Sequence, residues 1–209
     1  LFRQFGSDRR IAFEQIDVED PPFERLRQLE PSRIVADVLA RDISYFERLR
    51  SIAPTCQIED RGGDVAADAV VSGYCQTDNN YCPVHDAVEL YLGEAYLILP
   101  SFAECIERRS YPFQVEDVLV SFGSVDISDK TATFIEILSE LSMVTAHVIL
   151  PKYSQQQYDV SAPHVETYPY GDAYRDLLET VDLAITGGGN MTYELAALGI
   201  PGAVVAEKE

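Results

Sequence analysis

The chain has 209 residues, 46% of them apolar, and a formal net charge of −19 from 35 acidic and 16 basic side chains. That length holds one large α/β domain or two smaller ones, each with its own core. The charge argues against nucleic acid and anionic membranes as partners, since both are polyanions that an acidic surface repels; no apolar run approaches the roughly 18 residues of a membrane span.

The acid is spread along the chain, and Lys130, Lys152 and Lys208 are its only lysines. Such a pattern reads as a solvated surface, of the kind found in the cytoplasm of salt-loving microbes, where salt screens self-repulsion. The N-terminus lacks the charged-then-apolar pattern of a signal peptide, so the expected location is cytoplasmic. Because the first residue is Leu1, the sequence reads as a fragment or a processed chain. Cys75, Cys82 and His85 form C-x6-C-x2-H without the close C-x2-C pairs of zinc modules, so reduced, partly buried thiols are expected and no metal.

In chain order, residues 10–16 (RIAFEQI) read as a strand, 23–30 (FERLRQLE) as a helix, 33–39 (RIVADVL) as a strand and 42–52 (DISYFERLRSI) as a helix. Three short strands follow at 55–60, 68–74 and 94–100, with loops dense in Gly, Asp and Asn at 62–68 and 76–86. Charges and a proline interrupt the apolar rhythm over 107–117, which places a domain boundary at residue 113. Beyond it the alternation restarts: strands at 118–123, 146–151, 164–170, 183–189 and 202–207, helices at 130–142, 173–181 and 191–199. Strands separated by helical crossovers predict parallel α/β sheets, hence two Rossmann-like domains, residues 1–113 and 114–209.

The segment DLAITGGGNMTYELAALGIPGAVV, residues 182–205, sets three glycines and Asn190 between a strand and a helix. In open α/β sheets ligands bind outside the carboxyl ends of the strands. A helix N-terminus there offers free N–H groups and partial positive charge, and glycine lets an anion approach the backbone. Asn190 and Thr192 are placed to cap the helix or to bond a ligand. Glu194, just inside the helix, is placed to accept from two ribose hydroxyls. A plain tight turn with a solvated Glu194 fits the same residues.

A second junction, VLVSFGSVDISDKT, carries Gly123, Ser124, Asp126 and Ser128 in its turn, so two loops at one sheet edge could hold a diphosphate between them. After residue 113 the basic residues are Lys130, Lys152, Arg175 and Lys208, which leaves the phosphates chiefly to backbone N–H groups. Neither a P-loop nor a G-x-G-x-x-G fingerprint occurs.

These segments resemble the donor-binding region of GT-B nucleotide-sugar enzymes. With RIVADVLARDISYFERLR, CQIEDRGGDVAADAVV and YLGEAYLILPSF upstream, the resemblance spans most of residues 33–206. It points to the UDP-sugar hydrolases of pseudaminic-acid synthesis, relatives of the peptidoglycan GlcNAc transferase. It implies two Rossmann-like domains, the first incomplete, with a UDP-sugar between them and no cofactor or metal. By position, Gly187, Gly188, Gly189, Asn190 and Thr192 would face the diphosphate or uridine. Glu194 would hold the ribose, Gly123 and Ser124 would line the other side of the phosphates, and Asp37 would face the cleft as a candidate catalytic residue or cap the next segment.

The family's G-x-G-H loop, with its catalytic His, is not found, and His85, His147 and His164 match no catalytic position. The readings, in order, are a nucleotide-sugar hydrolase releasing UDP from an amino or deoxy sugar in surface-glycan synthesis, a UDP-sugar-dependent glycosyltransferase, and a non-catalytic UDP-sugar-binding subunit.

Overall fold

The computed structural model describes residues 23–38, 42–58, 62–73, 81–104, 114–154, 156–171 and 173–206. The strand expected over 10–16 lies outside them. The chain divides into two compact units, Leu1–Ile98 and Leu99–Glu209. The interruption from which the sequence placed a boundary at 113 lies mostly outside the described residues. The short 3-10 turn Ser101–Glu104 packs within the second unit, where Phe102 meets Tyr174 edge-on at 6.2 Å between ring centroids.

In the first unit, α1 (Phe23–Leu29), β1 (Ile34–Asp37), α2 (Ile43–Arg50), β2 (Thr55–Ile58), β3 (Gly63–Val65), β4 (Ala69–Ser72), β5 (Tyr81–Pro83) and β6 (Glu89–Leu92) follow in order. A parallel sheet runs β1-β2-β4-β6, and β3 pairs with β5 beside it. Helix α2 begins where the Asp42 carboxylate accepts the Tyr45 N–H at 2.9 Å, an N-cap that satisfies one orphan donor. Its Phe46 and Leu49, three residues apart, go into the core with Phe23, Val65 and Val70. Asp68 ties this helix to the sheet, taking Arg50 Nε at 2.9 Å and the Thr55 N–H at 2.8 Å.

Two expectations fail here. No strand forms over 94–100: the fourth sheet strand is β6, just upstream. Gly93, at φ 98°, stops it, and the chain enters a 3-10 turn with Tyr96 N–H bonded to the Gly93 carbonyl at 3.0 Å. Leu97 then crosses so close to Gly73 that a Cβ there would lie 2.3 Å from its Cα. The apolar run was read as a strand although Glu89–Leu92, exposed at every position, holds the ladder. Likewise the expected loops at 62–68 and 76–86 contain β3 and β5 and are not wholly loop.

The second unit comprises β7 (Asp117–Ser121), α3 (Lys130–Ser139), β8 (Thr145–Ile149), β9 (Val165–Tyr168), α4 (Tyr174–Leu178), β10 (Leu183–Thr186), α5 (Asn190–Leu198) and β11 (Gly202–Val204). Its parallel sheet runs β11-β10-β7-β8-β9. Counted within the unit this is 5-4-1-2-3, the doubly wound order, whose topological switch point lies between β7 and β10. Both faces are covered, as a parallel sheet requires. Val118 and Val120 of β7 pack with Ile135 and Leu138 of α3, whereas Leu119 packs with Leu177, Leu178, Leu195 and Leu198 of α4 and α5. At the amino ends of the central strands, Asp182 accepts the N–H groups of Glu116 and Asp117 at 2.9 and 3.1 Å.

Candidate functional site

The parallel register sets Thr186, the last residue of β10, opposite Ser121, the last residue of β7. Both side chains are buried, so the loops that follow start side by side at the switch point. Gly187 lies so near Phe122 that a Cβ would meet its ring at 3.3 Å. The sequence placed Gly123, Ser124 and Gly187–Gly189 at this edge, and the structure brings them together there.

Helix α5 begins from Gly189, which has no side chain to cap with. Asn190 and Thr192, expected as caps, lie inside the helix. Gly188 and Gly189 hold φ of 101° and 75°, left-handed conformations that strain residues bearing a Cβ. Thr192 Oγ1 is shielded from solvent and has no hydrogen-bond partner among the described residues. The first turn of α5 thus presents N–H groups and the positive end of the helix dipole beside a glycine loop.

The N-terminus of α3 is different. Asp129 holds the capping position at φ 53° without a side-chain cap. The end is filled by Asp126, whose carboxylate accepts Lys130 N–H at 3.0 Å, Thr131 N–H at 2.6 Å and the Thr131 hydroxyl at 2.6 Å. At this junction the donors of the helix end are thus taken by an internal carboxylate, which leaves the loop residues Gly123 and Ser124 as the part facing the glycine loop. Gly123, at φ 83° with open space around it, and Ser124 remain at the edge. The Ser124 carbonyl accepts Tyr153 N–H at 3.2 Å, which brings the loop carrying Lys152 to the same end of the sheet.

Glu194 is neither buried alone nor merely solvated. Tyr174 Oη donates to its Oε2 at 2.7 Å. Burial, and then the bond to Glu194, push the Tyr174 phenol well above its ordinary pKa. No spacing rule links residues 174 and 194, so no local pattern signals this pair. Asp126 was missed as a plug for a similar reason: it stands outside the helix it caps.

Asp37 belongs to the first unit, exposed at the carboxyl end of β1. Residues 39–41 of the segment it was expected to cap lie outside the described residues. His147 spans strands, with Nε2 2.8 Å from Asp117 Oδ1 and Nδ1 3.1 Å from Tyr168 Oη. His164 Nε2 lies 3.0 Å from the Leu138 carbonyl. Cys56 and Cys82 are free thiols, and no cluster among the described residues has the ligands for a metal. Nor is any helix among them long and apolar enough to cross a membrane.

No protein-family model matches the chain, and no curated protein sequence matches it. Solved structures do match in fold. The spinosyn rhamnosyltransferase SpnG superposes with TM-score 0.52 at 13% identity, covering 90% of this chain. The spinosyn forosaminyltransferase SpnP gives 0.51 at 12% identity over 89%. The chain spans 57% and 59% of those two proteins' lengths. The likeness is one of fold: like these glycosyltransferases, the chain is built of α/β units on parallel sheets.

Proposed function

We propose that the second unit holds the diphosphate and ribose of a UDP-sugar, and that the protein acts as a GT-B glycosyltransferase. The observation that carries this is the α5 N-terminus, begun from glycine beside the β7–β10 switch point. The positive end of a helix dipole favours negative charge. Gly187–Gly189 let the diphosphate approach, Asn190 and Thr192 lie beside it, Gly123 and Ser124 border it, and Glu194 accepts from the ribose hydroxyls. No cofactor or metal enters this scheme.

In the transfer step the acceptor oxygen bonds to the anomeric carbon as the bond from that carbon to the phosphate oxygen breaks. The electron pair leaves on UDP, whose developing charge meets the α5 amides. The acceptor proton passes to a general base. The hydrolase reading, first from sequence, gives way to transfer to a hydroxyl acceptor, because solved structures of similar fold include sugar transferases, one of them complexed with the spinosyn aglycone.

The test is calorimetric titration of the chain with UDP and ADP in high salt, alongside Glu194→Ala. Saturable UDP binding, stronger than ADP binding and about tenfold or more weaker in the variant, is expected, since hydrogen bonds to a charged group are worth roughly 1.5–3 kcal/mol. No binding at millimolar UDP would make the glycine loop a structural turn.

A further inference from the structure

Glu194 has one carboxylate oxygen, Oε2, bonded to the Tyr174 hydroxyl at 2.7 Å, while Oε1 makes no hydrogen bond among the described residues. The two residues come from different helices, Tyr174 opening α4 and Glu194 standing midway along α5. Tyr174 is itself held: its ring meets Phe102 edge-on at 6.2 Å and packs on the core that contains Leu177, Leu195 and Leu198. A glutamate side chain has several rotatable bonds, and an unanchored one spends its time among many rotamers. A hydroxyl on a ring packed against the core removes that freedom by holding one oxygen.

We propose that Tyr174 is the positioning residue of the ribose subsite, anchoring Glu194 through Oε2 so that Oε1 and the remaining Oε2 lone pair are presented together to a cis-diol. This rests on the nucleotide reading above and adds to it the source of its selectivity. A carboxylate offers about four lone-pair positions, and Tyr174 uses one, which leaves room for both O2′–H and O3′–H. An oriented carboxylate rewards a diol more than a single hydroxyl, because the second bond forms with no further ordering. Tyr174 suits the task because burial and the acidic neighbour keep its hydroxyl protonated, hence a donor, at every working pH.

The experiment compares UDP with 2′-deoxy-UDP on the full chain, on Tyr174→Phe, on Glu194→Ala and on the double variant. Tyr174→Phe keeps the ring against Phe102 and removes only the hydroxyl. The unsubstituted chain is expected to prefer UDP by about tenfold, the worth of one hydrogen bond to a charged group. In Tyr174→Phe, UDP affinity should fall about tenfold, 2′-deoxy-UDP affinity by less, and the preference should contract below about threefold. In the Glu194→Ala background the same change should have no effect on either nucleotide. The preference is a ratio, so a partly unfolded variant still reports it.

Equal losses for both nucleotides, or a loss that persists without Glu194, would show Tyr174 acting through the fold and overturn the proposal. An unchanged Tyr174→Phe would overturn it too. Failure of the unsubstituted chain to bind UDP would instead remove the nucleotide site, and this assignment with it.

Discussion

Helices α3 and α5 both follow strands of one sheet, and those strands, β7 and β10, are neighbours. Their N-termini nonetheless meet different fates. At α3 the chain supplies its own anion, Asp126, which takes two backbone N–H groups and the Thr131 hydroxyl. At α5 the chain supplies glycine, and nothing caps the end from that position. The dipole is the same in kind at both. The two ends differ in whether a carboxylate has already been built in.

The contrast breaks most severely if α5 is given what α3 has. Gly189→Asp puts a carboxylate at the start of α5 and forces a Cβ onto a residue at φ 75°. Like charges about 4 Å apart repel by roughly 4 kcal/mol at an effective dielectric of 20. UDP affinity measured by calorimetry should fall on the order of 100-fold or more; a variant that binds as well as the parent would refute the α5 site.

The opposite change tests the plug. Asp126→Ala strands the buried Thr131 hydroxyl and uncaps α3, so unfolding in urea should show a loss of about 1–3 kcal/mol. UDP affinity should stay within about twofold, because α3 donors are not assigned to the ligand. A large drop in affinity at unchanged stability would return Asp126 to the site.

Alkaline titration sharpens the account of the α4–α5 pair. The folded Tyr174 pKa is raised above its unfolded value of 10.0, chiefly by burial. Above pH 10 the unfolded chain therefore releases a proton that the folded chain keeps, and stability falls as pH rises. One such group contributes up to about 1.4 kcal/mol per pH unit. Tyr174→Phe should flatten the slope between pH 10 and 12 by up to that amount. Tyr168, pushed up to about 12 by burial and by its bond to Glu166, should keep part of the slope in the variant. An identical slope in both chains would contradict the raised value at Tyr174.

The smallest effect concerns Lys152, exposed on the loop that Tyr153 fastens to Ser124. Lys152→Glu should weaken UDP binding about threefold at low ionic strength and hardly at all in high salt, since exposed charges are screened beyond a Debye length of about 10 Å at 0.1 M. A salt-independent loss would indicate a direct contact with the phosphates.

Much of the second unit could be read in advance because local patterns there coincide with tertiary demands. Val118–Val120 is a continuous apolar run, as a strand covered on both faces must be. Thr131, Ile135 and Leu138 lie at helical spacing and are all buried. The glycines of 187–189 announced their turn because φ near +100° at Gly188 admits little else. In the first unit the same reasoning misjudged 94–100, where the strand is the exposed Glu89–Leu92 and the apolar run leaves the sheet. Pattern rules weigh apolarity, but that ladder is set by backbone pairing with β4.

By itself, then, the sequence determined the α/β class, the chain positions of the second unit's strands and helices, and the glycine loop, because each depends on residues a few positions apart. Tertiary structure alone decided which loops became neighbours: the 5-4-1-2-3 order sets Gly123 beside Gly187 although 64 residues separate them. It also decided that Asp126 closes α3 and that Tyr174 reaches Glu194. Those last contacts join side chains whose meeting depends on how helices pack on a sheet, a relation that no local spacing encodes.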